Sequence, residues 1–457
     1  MTDDHPTRES LERFLLGQLP ASEMRLVSRH LFTGCAECRR IAGDDWETEG
    51  GEAAGAREDC TGVLDAYDAV FDKVLQRVSL KEALIARERM AARELCEELT
   101  QHPTSRQLLL VSNSVRFRNP ALCDLLLERS QEAAFQAEMT RSIDLARLAI
   151  VLAETLTEEG CGSAEVRNGL LMRAWAQLGN AHRLNGEHPE AEQAFEAANT
   201  FLGEDGQFGL LDAARVLDLE ASLRRDQRRF DEAMDLLDRV VAIYQQLGQR
   251  SLLGRALKQK SLVCGEAGDL ESEMDLLKQS LEHIDPVEEP RTFLSARHNL
   301  VIALYQSGRA SEAFTLLFHT RPLYLKMGDR MTLLRLRWVE GMVACGMGRA
   351  EQAEVAFREV RDAFVELQLD YDAAVVSLDL AGVYVLQGRS ADLRRLAEEM
   401  LAVFTSRNIP REAFGALLFF CEAAKLEKAE AAVVHEVSEF LKRARGNPDL
   451  RFTPTSW

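Results

Sequence analysis

The sequence predicts an all-α protein, built as a solenoid of stacked helical hairpins. Three observations predict it. Helix-forming sequence with apolar residues at three- and four-residue steps runs almost without break from about residue 61 to residue 445. A sixteen-residue block returns six times: "RLNGEHPEAEQAFEAA" from Arg183, "RDQRRFDEAMDLLDRV" from Arg225, "GEAGDLESEMDLLKQS" from Gly265, "YQSGRASEAFTLLFHT" from Tyr305, "CGMGRAEQAEVAFREV" from Cys345 and "VLQGRSADLRRLAEEM" from Val385. The first step is 42 residues and the other four are 40 each. Finally, five of the six blocks carry Gly at the fourth position (Gly186, Gly268, Gly308, Gly348, Gly388), where a helix can end in a left-handed turn before the next begins. A small residue follows five positions later (Ala191, Ala233, Ala313, Ala353), and a large apolar one four beyond that (Phe195, Leu237, Leu277, Leu317, Phe357). A period of this length belongs to units that bury their apolar faces only against their neighbours.

The bulk properties exclude several classes. The chain has 457 residues, 46% of them apolar, enough for a core. Its net charge of −19 argues against direct binding of nucleic acid or of an anionic membrane. Nine cysteines, seven of them isolated, read as reduced thiols rather than a disulfide framework. The N-terminal "MTDDHPTRES" is acidic and polar, unlike a signal peptide, and no stretch approaches the ~20 apolar residues of a membrane span. A cytoplasmic location is the expectation.

Along the chain, residues 1–43 form a short cluster with two expected helices. Residues 44–60, "DDWETEGGEAAGAREDC", are acidic and Gly/Ala-rich, which predicts a flexible linker. Residues 61–120 form a helical extension, opened by the amphipathic set Val63, Tyr67, Val70, Phe71, Val74 and Val78. The repeat array is expected over 121–410, with a weaker first unit from Leu122. A helix pair over 411–445 caps it, and the tail 446–457 leaves the helix through Gly and Pro.

Within Trp175–Ala198, the residues Trp175, Leu178, Gly179, Gly186, Ala191, Phe195 and Ala198 fall at the signature spacing of tetratricopeptide repeats, which the block resembles. The period of 40 exceeds the family's usual ~34, so helices or loops are longer here. The resemblance implies a right-handed superhelix whose concave face is lined by the first helix of each hairpin and receives a protein or peptide. In that register the inward positions are Arg173, Asn180 and Arg183, then Arg215, Ser222 and Arg225, then Arg255 and Lys258, then His298 and Tyr305, then Arg335 and Trp338. Asp218 interrupts the series, and the last repeat is apolar (Val375, Leu378, Val385). An acidic protein would thus carry a basic groove, suited to an acidic peptide or helix. The plainer alternative is a row of solvated arginines.

"SRHLFTGCAECRR" (residues 28–40) places His30, Cys35 and Cys38 at zinc-like spacing. A Cys-x-x-Cys pair can also be redox-active. A closed tetrahedral site needs a fourth ligand, for which His5 and Cys60 are the candidates. "LERFLLGQLPASEMRLVSRHLFTGCAECRR" resembles the zinc-binding anti-sigma-factor domain of bacterial regulators: an early His, a helix ending in a Gly-x-Leu-Pro turn (Gly17–Pro20), and a second helix carrying His and then Cys-x-x-Cys. That resemblance implies a structural zinc on His5, His30, Cys35 and Cys38 and a sigma factor as partner. Four residues separate His30 from Cys35 where the family has three, and Gly34 offers a loop to absorb the extra one. A segment of ~40 residues has too little core to fold alone, and a structural zinc contributes on the order of 10 kcal/mol.

No phosphate-binding Gly loop, dinucleotide turn or nucleophilic triad is readable, so the chain reads as non-enzymatic. Two readings remain: a scaffold and regulator with a zinc-stabilised head that grips a sigma factor, or a scaffold of a signalling, defence or protease-associated complex with a vestigial head.

Overall fold

The computed structural model describes residues 6–15, 19, 21–32, 86–161, 163–202, 209–405, 411–425, 429–444 and 450–455. Among them there is no strand. The chain divides into two compact units, Met1–Glu94 and Leu95–Trp457.

In the first unit, α1 (Arg8–Leu15) and α2 (Ala21–Phe32) pack through Leu11, Leu19 and Val27, with Phe14 and Met24 against them. His30 lies in the last turn of α2. His5, Cys35 and Cys38 lie outside the described residues, as do Cys60, the acidic linker and the amphipathic run from Val63. Residues 86–100 form α3, across the boundary between the units.

The second unit continues with α4 (Thr104–Asn113), a 3-10 turn (Val115–Phe117), and α5 (Pro120–Phe135) paired with α6 (Met139–Thr155). After the short α7 (Glu158–Cys161) come α8 (Ala164–Leu184) and α9 (His188–Asn199), α10 (Leu210–Asp226) and α11 (Phe230–Gln246), and α12 (Arg250–Ala267) and α13 (Leu270–His283). Then follow α14 (Pro290–Gln306) and α15 (Ala310–Met327), α16 (Arg330–Gly346) and α17 (Ala350–Glu366), α18 (Asp370–Leu386) and α19 (Ser390–Thr405), and α20 (Arg411–Lys425) and α21 (Ala431–Ala444). Each hairpin packs on the next, and the core is divided among successive clusters along the array. The extra length of the repeat goes into helices, most of 16–18 residues, not into loops.

The repeat signature has a steric meaning. The small residues Ala191, Ala233, Ala313 and Ala353 are fully buried where the two helices of a hairpin touch. Each large residue of the second helix faces a position sixteen residues earlier on the first. Phe195 faces Gly179 and Phe357 faces Gly341. A Cβ at either glycine would come within 2.9 Å and 2.7 Å of the ring. Where the second helix carries Leu237, Leu277 or Leu317, the same position holds Ala221, Ser261 or Val301, all buried. At Gly179, Gly341, Ala221 and Ser261 bulk on one helix is matched by a small residue on the other; Val301 opposite Leu317 departs from this pattern.

The left-handed turn is as regular. Gly186, Gly268, Gly308, Gly348 and Gly388 have φ of 67–91°. In the block lacking Gly, Arg228 adopts the same turn at φ 62°, with its guanidinium 4.9 Å over the Phe230 ring. Ala137 and Gln368 also take it, at 61° and 58°. The repeat dictates the backbone, and the side chain complies at a cost of about 1–2 kcal/mol.

Candidate binding groove

The first helices of the hairpins line one face of the solenoid, and a cavity of about 860 Å³ opens there. Its walls come from α8 (Arg183), α10 (Arg225, Asp226), the turn after it (Arg228), α12 (Glu266), α13 (Glu273) and α14 (Asn299, Ile302, Gln306). Glu439, Lys442 and Arg443 of α21 line it as well. Five basic and four acidic side chains therefore surround one space.

Two of the residues expected from the register, Arg183 and Arg225, line this cavity. They share one carboxylate: Arg183 Nη1 lies 2.6 Å from Asp226 Oδ2, and Arg225 Nη2 lies 3.0 Å from Asp226 Oδ1. Arg225 Nε also reaches Glu266, at 3.5 Å. The Asn180 side chain orients Arg183 by accepting from its Nε and Nη2. Elsewhere on the same helices, Arg173 lies 2.9 Å from Asp124 and 3.9 Å from Asp212, and Asp212 also meets Arg215 at 3.3 Å. Arg255 Nε donates to Glu289 at 2.8 Å. The Ser222 hydroxyl accepts from Gln259 at 3.3 Å, and Lys258 donates to Ser295 at 3.4 Å.

So the groove is charge-compensated, where the register suggested a basic surface interrupted only by Asp218 and the apolar last repeat. The matching acids stand at helix ends and on neighbouring hairpins, positions a single-helix register does not sample. Asp218, which seemed to interrupt the series, is part of the pattern. Burial raises its carboxyl to about 6 against the pull of Arg225, Lys258 and Arg183. Its Oδ1 accepts no hydrogen bond from the described residues. Burial lowers Lys258 below the usual lysine range, assisted by Arg255. Burial also raises Glu266, and raises Glu273 to about 7 with help from the neighbouring Glu266 charge.

Three expected groove residues are held by packing. His298 Nδ1 lies 2.6 Å from the Tyr324 hydroxyl, and burial with the nearby Arg335 charge holds the ring at about 4, neutral at pH 7. Tyr305 sits against Gly346 of the next hairpin, where a Cβ would meet its ring at 3.0 Å. Trp338 packs edge-on to Phe364 and donates Nε1–H to Asp379 at 2.7 Å. Arg335 itself is exposed.

Sequence reasoning missed Arg228, Glu266, Glu273 and the whole contribution of α21. A signal for the last existed in the apolar inward positions of α18. Val375 and Leu378 are 6% and 0% exposed because α21 joins the same core.

No group of three or more His, Cys, Asp or Glu side chains is arranged to hold a metal among the described residues. No helix among them is long and apolar enough to cross a membrane.

No protein-family model matches the sequence. No curated protein matches it either. Solved structures do. A Rap protein complexed with competence and sporulation factor aligns at a TM-score of 0.51 and 12% identity, over 72% of this chain and 88% of that one. Aspartyl phosphate phosphatase F from Bacillus subtilis aligns at 0.51 and 14%, over 90% and 96%. A signal-transduction ATPase with a tetratricopeptide repeat sensor from Pyrococcus horikoshii aligns at 0.50 and 11%, over 75% of this chain and 52% of that one. At these identities the likeness concerns the fold: the chain is a tetratricopeptide-like helical repeat protein.

Proposed function

We propose that the array is a non-enzymatic scaffold and regulator, and that a protein or peptide segment of acidic character binds in the cavity. One observation carries this reading: five cations from separate elements line a single space. Arg183, Arg225 and Arg228 come from α8, α10 and the turn after α10, and Lys442 and Arg443 from α21. Arg228 and Arg443 have no carboxylate within 4 Å among the described residues, so they meet an incoming carboxylate without giving up an ion pair. The volume suits a short segment rather than a domain. A bound factor in the complexed Rap protein supports the reading by likeness of fold. The test is titration of the full chain with a labelled acidic octapeptide and its lysine counterpart. The acidic peptide should bind with an affinity that falls with salt, and Arg228→Glu with Arg443→Glu should weaken it at least tenfold. Equal binding of both peptides would refute the reading.

For the head, the proposal rests on sequence spacing alone. His5, His30, Cys35 and Cys38 would hold a structural zinc, and the head would contact a sigma factor. Metal analysis of the full chain should give one zinc per chain, lost in His30→Ala. Affinity capture from host lysate, with and without residues 1–43, tests the partner. Recovery of a sigma factor only with the head present supports it. Identical partners from both favour the second reading, in which the repeats alone scaffold a signalling, defence or protease-associated complex.

A further inference from the structure

In the preceding hairpins, the second helix packs on its own first helix and on the first helix of the next hairpin. α21 does something else. It is the second helix of the last hairpin, yet it packs on α18, the first helix of the hairpin before. Val434, Val437, Phe440 and Leu441 enter one core with Val375, Leu378 and Ala381 of α18. The Tyr371 hydroxyl donates to the Leu441 carbonyl. α21 therefore lies on the inner face, in the place a ligand helix takes when an amphipathic helix fills a groove.

The seat contains a feature that works against α21. Asp379 of α18 is half-buried there, and desolvation raises its carboxyl above the ordinary range. Trp338 donates to it, and the charges that act on it are Lys442 and Glu439, both on α21. Lys442 is itself paired with Glu439, at 2.9 Å. An apolar residue at 379 would make a tighter cap. A carboxylate there means that seating α21 desolvates a charge, which offsets part of the gain from apolar burial.

We propose that the inner face of α18 is a docking site for an amphipathic helix, filled in cis by α21 and open to a partner helix that displaces it. The partner's chemistry is that of α21: branched or aromatic residues at the spacing of Val434, Val437 and Leu441, with a lysine placed to face Asp379. This rests on the inner face being the binding surface, but it concerns a different stretch from the cavity cations, so the acidic-peptide titration and the test below fail independently.

The test is hydrogen exchange by mass spectrometry on the full chain at pH 7.5. Residues 431–444 should exchange at least tenfold faster than α12 and α14. Asp379→Asn keeps an acceptor for Trp338 and removes the charge; it should slow exchange of 431–444 at least threefold and leave α12 and α14 unchanged. A synthetic peptide of residues 429–457, added in excess, should compete for α18 and speed exchange of the resident α21. The same peptide carrying Val437→Glu and Leu441→Glu should not. If 431–444 exchange only as fast as α12 and α14, if Asp379→Asn has no effect, or if the peptide leaves exchange unchanged, α21 is a permanent cap and the proposal fails.

Discussion

The inner faces of α10 and α18 occupy equivalent places in the repeat and are built oppositely. α10 presents Arg215, Asp218, Ser222 and Arg225, held by ion pairs and hydrogen bonds. α18 presents Val375 and Leu378, buried under a helix of the same chain. The outer packing is alike in both, with Ala233 and Leu237 on one second helix and Leu393 and Ala397 on the other, all buried. The repeat fixes only the face that stacks. The inner face is free to vary, and here it is polar and open at one end, apolar and filled at the other.

The largest expected effect is on the filled end. Phe440 is 1% exposed and packs edge-on against Phe452, so Phe440→Ala should cost about 3–5 kcal/mol of local stability. Denaturant unfolding should then show an early transition for the last hairpins while α8 to α13 unfold as before. A single transition shifted as a whole would mean the two ends are one cooperative unit.

At the open end, Asp226→Ala removes the carboxylate shared by Arg183 and Arg225, whose side chains are 13% and 17% exposed. Leaving Arg183 without a carboxylate and Arg225 with Glu266 alone should cost about 2–3 kcal/mol in thermal unfolding. Asp226→Asn should recover part of it.

Titration sharpens the contrast further. Asp218 and Glu273 have folded-state values raised to about 6 and about 7, above their ordinary range. The folded state therefore binds protons more tightly than the unfolded state. Their stabilisation is complete below pH ~4 and is lost as pH rises through about 6 and 7. Between pH 5 and 8 the melting temperature of the open end should fall, and Asp218→Asn with Glu273→Gln should flatten that slope. A slope unchanged in the double variant would place its origin elsewhere.

The smallest effect tests the shared backbone. Gln368 is exposed and left-handed, so Gln368→Gly should stabilise by about 0.5–1 kcal/mol. Gly348→Ala at the equivalent φ of 73° should destabilise by about 1 kcal/mol.

The stacking face was legible in the sequence because periodic contacts leave periodic residues: the Gly turns, the buried alanines and the Phe and Leu positions all stand where the blocks place them. The left-handed Arg228 and Gln368 were not legible, since their residue types disfavour the turn that their neighbours impose. The groove was legible only by halves. Arg183, Arg225 and Arg255 sit at regular positions on first helices, whereas the acids that bind them, Asp226, Glu266 and Glu289, sit at irregular ends that meet only on stacking. Docking of α21 left one trace, an apolar inner stripe without an evident cover. The ligands expected for zinc, His5, Cys35 and Cys38, lie outside the described residues.

The long repeat acts as a ruler. A first helix of 17 residues, such as α18, is about 26 Å long, and the 14 residues of α21 span about 21 Å. A helix of nearly four turns can lie along one unit of this array with its whole apolar stripe engaged. By lengthening each unit, the chain sets the size of what can be laid against it.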